Sequence, residues 1–121
     1  MKKKILVIED DLAIAEALQE LLESEGYSVI LAEHGLSALN YLEGKNALPS
    51  LILLDLMMPI MDGRNFLAEF ERKLPEMKKS IPVLLMSAMG EQSLPKNYEK
   101  KMTISKPLDI DGLMNTIKAF I

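Results

Sequence analysis

With 121 residues and 49% hydrophobic content, the chain is long enough to bury one core and needs no disulfide or metal staple to hold it. A formal charge of −4 argues against a nucleic-acid footprint, and the absence of cysteine implies no oxidising compartment. The first apolar run, 5–8, is too short for a signal peptide's core and meets three acids, so a single cytoplasmic domain over 1–121 without a membrane segment is the expectation.

Lys4–Ile8 is β-branched and apolar, and ends at Glu9, Asp10 and Asp11, which predicts a first buried strand. From Leu12 the spacing turns helical, with Leu12, Ala15, Leu18 and Leu22 on one stripe, Asp11 placed to cap the helix and Gly26 to stop it. Residues 27–32 read as strand two, followed by His34 as an ordinary surface residue and a short helix over 36–42 stopped by Gly44. Strand three, 51–54, runs straight into Asp55, and Pro59 forbids a simple continuation. The stretch 64–74 places Phe66, Leu67, Phe70 and Leu74 at helical spacing, with Pro75 as its end. Strand four is predicted over 81–86, strand five over 102–104 and a last helix over about 109–120. Residues 88–100 carry the weakest periodicity, broken by Gly90 and Pro95.

Alternating strands and helices predict an α/β fold, a doubly wound five-stranded parallel sheet in the flavodoxin-like order 2-1-3-4-5 with helices on both faces. Asp55 read alone is equally a strand-terminating residue that starts a turn. In this order, however, strands one and three are neighbours, so Glu9, Asp10 and Asp55 converge on the carboxyl-end crevice. Three carboxylates there repel one another and call for a cation, a proton or a lysine. Oxygen ligands with positions left for water and phosphate suit Mg²⁺. Ser87 after strand four offers a hydroxyl, and Lys106 after strand five offers a mobile positive charge.

The motifs KILVIEDD (4–11), LILLDLMMPIMDG (51–63), PVLLMSA (82–88) and SKP (105–107) together resemble the receiver domains of two-component response regulators, over essentially the whole chain. The resemblance implies that Asp55 accepts a phosphoryl group from a histidine kinase or histidine phosphotransfer protein. It further implies that Glu9, Asp10, Asp55 and the backbone carbonyl of Met57 hold Mg²⁺, Asp10 directly and Glu9 through water. Ser87 is then the switch hydroxyl, Lys106 the phosphate-binding lysine, and Lys106–Pro107 a cis peptide bond. The partner is expected to dock near Ile14 and Ala17 on helix one and near Pro107 and Leu108. Met57 and Met89 occupy the positions that flank the phosphoryl group and influence how water reaches it.

Two departures stand beside the resemblance. Thr103 occupies the position where receivers usually carry a Tyr or Phe that turns inward on activation. The segment from Ser87 to Lys106 is shorter than the family pattern and contains Pro95. They leave open an alternative reading, a pseudo-receiver acting as a phosphorylation-independent interaction module. A haloacid-dehalogenase-type phosphatase, which also uses an aspartyl phosphate, needs DxDx[TV] after its first strand, and residues 8–12 do not supply it. The domain is thus expected not to be an enzyme beyond assisting its own phosphorylation and dephosphorylation. Direct nucleic-acid or membrane binding is not expected, and the cognate kinase, the downstream effector and the oligomeric state are not encoded in any motif.

Overall fold

Five short apolar runs pair in parallel into one sheet in the computed structural model, which describes residues 2–44, 47–56, 63–87, 103–105 and 109–121. The strands are β1 (Lys4–Ile8), β2 (Ser28–Ala32), β3 (Leu51–Asp55), β4 (Val83–Ser87) and β5 (Thr103–Ser105), in the order β2-β1-β3-β4-β5 that the sequence predicts. The helices among the described residues are α1 (Leu12–Ser24), α2 (Gly35–Glu43), α3 (Gly63–Lys73), α4 (Pro75–Ser80) and α5 (Ile110–Phe120). None is long and apolar enough to cross a membrane.

The central strands are apolar at successive positions because both faces of the sheet are covered. Alternation along each strand divides the core. Leu6, Ile8, Ile52, Leu54, Val83 and Leu85 meet Ala38, Leu39 and Leu42 of α2 and Phe66, Leu67 and Phe70 of α3. The intervening Ile5, Val7, Leu51, Leu53, Leu84 and Met86 meet Leu18 and Leu22 of α1 and Leu113, Met114 and Ile117 of α5.

Helix α1 starts as predicted, with the Asp11 side chain accepting the Ile14 N–H. It ends in a Schellman arrangement, in which Tyr27 N–H reaches the Leu22 carbonyl and Gly26 N–H the Glu23 carbonyl. Gly26 adopts φ 95° there, a conformation that a side chain disfavours.

Strand ends shift by one or two residues, β4 running Val83–Ser87 rather than 81–86 and β5 Thr103–Ser105 rather than 102–104, and three further details differ from the sequence reading. Leu12 is 66% exposed rather than part of the buried stripe, because the first residue of α1 lies one turn ahead of the sheet contact made by Ala15, Leu18 and Leu22. Pro75 starts a helix as well as following one: α3 stops at Lys73, Leu74 is the next N-cap, and Pro75 takes the first turn of α4, where its missing N–H costs no hydrogen bond. His34 is the N-cap of α2, and its ring nitrogen Nδ1 accepts the Ser37 N–H at 3.2 Å. The segment 88–102 lies outside the described residues.

Candidate phosphoacceptor and metal site

The register of the sheet brings the acids together. Ile8 is level with Ala32 on one side and Leu54 on the other, so Glu9 and Asp55 are the next residues on adjacent parallel strands. Glu9 is held there by its N–H, which donates to the Ala32 carbonyl at 3.1 Å. Asp55 is level with Met86, and Leu56 N–H donates to the Met86 carbonyl at 3.2 Å. Both strand ends are therefore anchored to a neighbour on the sheet.

Glu9 and Asp55 are buried, at 3% and 4% exposure, while Asp10 is exposed. One oxygen from each of Glu9, Asp10 and Asp55 lies within 4.8 Å of the others. At that separation each pair of full charges repels by roughly 3 kcal/mol even with an effective dielectric near 20. Two carboxylates that are nearly out of water and a third that is exposed form a donor set of hard oxygens. That set fits a small divalent cation, which keeps several waters and takes few protein ligands.

Glycine at 63 sets how closely α3 approaches this edge. A Cβ on Gly63 would lie 2.7 Å from Leu56 Cα and 3.1 Å from the Asp55 carbonyl oxygen. Its N–H donates to the Leu56 carbonyl at 2.9 Å. The helix thus begins directly against the main chain that carries Asp55. From sequence, Gly63 enters only as the last residue of the motif at 51–63; the Asp-Gly pair before a helical stretch is the signal that could have marked its packing role.

Of the other expected site residues, β4 brings Ser87 to the same carboxyl edge, level with Ser105 of β5, and only the backbone of Ser87 is described. Met57, Met89, Lys106, Pro107 and Leu108 lie outside the described residues. Thr103 is half-buried on β5, level with Leu85.

Comparison with known proteins agrees with this geometry. The family model described as response regulator receiver domain matches residues 5–118. Sporulation initiation phosphotransferase F of Bacillus subtilis is 31% identical over 124 residues, covering 100% of this chain and 95% of that protein. The probable transcriptional regulator ycf29 of Pyropia yezoensis is 33% identical, again over 100% of this chain, which spans only 54% of that relative's length. Among solved structures, response regulator protein TrrA of Thermotoga maritima, in complex with Mg²⁺–BeF, superposes with a TM-score of 0.79 at 29% identity over 98% of this chain and 99% of that one. The chemotaxis response regulator CheY4 of Vibrio cholerae, at 22% identity, shares the fold with a TM-score of 0.81 over 100% of both chains. The chain belongs to the response regulator receiver domains of two-component systems, which are signalling modules rather than enzymes.

Proposed function

We propose that residues 1–121 form one receiver domain that is phosphorylated on Asp55 by a histidine kinase or histidine phosphotransfer protein. The observation that carries this reading is the convergence of Glu9, Asp10 and Asp55 within 4.8 Å at the carboxyl edge of the sheet. In this reading Glu9, Asp10, Asp55 and the Met57 carbonyl hold Mg²⁺. When bound, the ion would neutralise the acids and draw charge from the phosphoryl oxygens.

The steps taken by the chain's own groups follow from their chemistry. An ionised Asp55 oxygen attacks phosphorus in line, needing no base because it carries no proton. An O–P bond forms to Asp55 as the bond from phosphorus to the donor breaks, and the donor leaves with the electron pair. The Lys106 ammonium and the Ser87 hydroxyl would donate to the equatorial oxygens as charge builds on them. After transfer the same two groups keep the phosphoryl oxygens as acceptors, and their adjustment shifts the adjoining segments. Thr103 lacks an aromatic ring, so the output does not depend on one at that position.

Incubation with acetyl phosphate and Mg²⁺ is expected to add one phosphoryl group, located to the Asp55 peptide by mass spectrometry. An unmodified protein under conditions that label another receiver would leave the phosphorylation-independent module as the better reading.

Docking of the phosphodonor protein is proposed at the amino-terminal half of α1. Ala17 is exposed there, and Ile14 is half-buried against the fringe of the core. Ile14→Asp should slow transfer from the cognate kinase while acetyl phosphate still labels Asp55. Ala17→Glu should do the same without the stability cost that Ile14 carries. Equal loss of both routes in the Ala17 variant would remove α1 from the docking surface.

The lifetime of the phosphoryl group provides a further prediction. A thioether cannot orient an attacking water as an amide or a carboxylate can, so Met57 and Met89 should make hydrolysis slow. The double variant Met57→Asn, Met89→Glu should lose its phosphoryl group about tenfold faster, a change of ~1.4 kcal/mol in the barrier. Decay measured after donor removal decides this, and equal rates in wild type and variant would place control of water elsewhere.

A further inference from the structure

We propose that Glu9 is a positioning residue that ties the acid cluster to the first turn of α1, so that a bound cation is felt at the surface this turn presents. The inference rests on the Mg²⁺ reading above. Glu9 is buried in the cluster, yet its Oε1 accepts the Asp11 N–H at 3.3 Å. Asp11 is the N-cap of α1: its Oδ1 accepts the Ile14 N–H at 3.2 Å, and its carbonyl accepts the Ala15 N–H at 2.9 Å. A run of hydrogen bonds thus leads from a carboxylate of the cluster into the turn that carries the exposed Leu12.

Among the described residues, two opposing forces on the Glu9 carboxylate stand out. Its neighbours Asp10 and Asp55 each place an oxygen within 4.8 Å, and three negative charges so close push one another apart. The Asp11 N–H, reinforced by the positive end of the α1 dipole, holds Oε1 in place. Without a cation the repulsion works against this hold. With the charge neutralised, the hold wins and the first turn of α1 is fixed to the end of β1. The acceptor oxygen matters, because a side chain of similar length without one would leave the Asp11 N–H without the Glu9 carboxylate.

Amide hydrogen exchange followed by NMR at fixed pH tests this, with the Leu56 amide, next to Asp55, reporting cation binding. In the wild type, saturating Mg²⁺ should shift Leu56 and slow exchange at Asp11 and Ile14 by about tenfold, the scale of a hydrogen bond to a charged group. Glu9→Gln keeps the length and an acceptor oxygen but removes one charge, so exchange should already be slow in EDTA and respond little to Mg²⁺. Glu9→Met keeps the length and loses the carboxylate acceptor: with Mg²⁺ raised until the Leu56 shift saturates at whatever affinity the variant retains, Asp11 exchange should stay fast with or without the ion. A wild-type Leu56 shift with unchanged exchange at Asp11 and Ile14 would overturn the tether alone. Mg²⁺-linked slowing preserved in Glu9→Met would overturn it too. Absence of any Leu56 shift would remove the metal reading, and the tether with it. Should Glu9→Met fail to fold, fast exchange of Glu9→Gln in EDTA would be enough to reject the proposal.

Discussion

Asp55→Asn is expected to reduce labelling by acetyl phosphate to background, and withdrawal of Mg²⁺ from the wild type to have nearly the same effect. The amide has no charged oxygen with which to attack phosphorus, while the volume of the side chain and its place at the end of β3 are kept. The same substitution has an opposite expected effect on stability. It removes one of three carboxylates that lie within 4.8 Å of one another, and so relieves two of the three pairwise repulsions, each roughly 3 kcal/mol at an effective dielectric near 20, in metal-free protein. Thermal melts in EDTA should therefore show the variant at least as stable as the wild type, whereas added Mg²⁺ should raise the wild-type midpoint more. Undiminished labelling of the Asn variant would remove Asp55 from its role. A variant clearly less stable than wild type in EDTA would mean that the cluster is held by hydrogen bonds more than it is strained by charge.

Gly63→Ala carries the second large expected effect, from sterics rather than charge. The added methyl would meet the Leu56 Cα at 2.7 Å and the Asp55 carbonyl at 3.1 Å, and main chain cannot rotate away as a side chain can. Either α3 lifts from the sheet or the end of β3 moves. Overpacking of this kind costs about 1–3 kcal/mol. A displacement of Asp55 by an ångström can slow phosphoryl transfer on the order of a hundredfold. The measurements are a thermal melt and the labelling rate with acetyl phosphate. A core variant on the opposite face, Leu22→Ala, provides a control of comparable or greater destabilisation. If both variants label at the same rate once folded, Gly63 matters for packing alone and does not place the phosphoacceptor.

Much of the fold and the meeting of the three acids were legible in the chain of residues. The strands Lys4–Ile8 and Leu51–Asp55 are uninterrupted apolar runs because a parallel sheet covered on both faces leaves them no polar side, and that demand is visible without coordinates. The parallel order then follows from alternation of strands and helices, and it makes Glu9, Asp10 and Asp55 neighbours by topology alone. The cap Asp11 was legible for a similar reason, since a carboxylate before an apolar helical stripe acts on its own next turn.

What the tertiary structure decided concerns contacts between elements whose spacing has no local signature. Helical period does not say where a helix first touches the sheet, so Leu12 shares the apolar character of its stripe but not its burial. Pro75 breaks one helix and begins another, and only the turn at Leu74 selects between these uses. His34 caps α2 because the chain leaving β2 sets its ring beside the Ser37 N–H, a geometry that composition does not encode. Gly63 and Glu9 are the same lesson at the site itself. The residue types announce permissiveness and charge, but the 2.7 Å approach to Leu56 and the bond to Asp11 exist only once α3 and α1 are seated against the strand ends, because close packing is a property of two surfaces and not of either sequence segment.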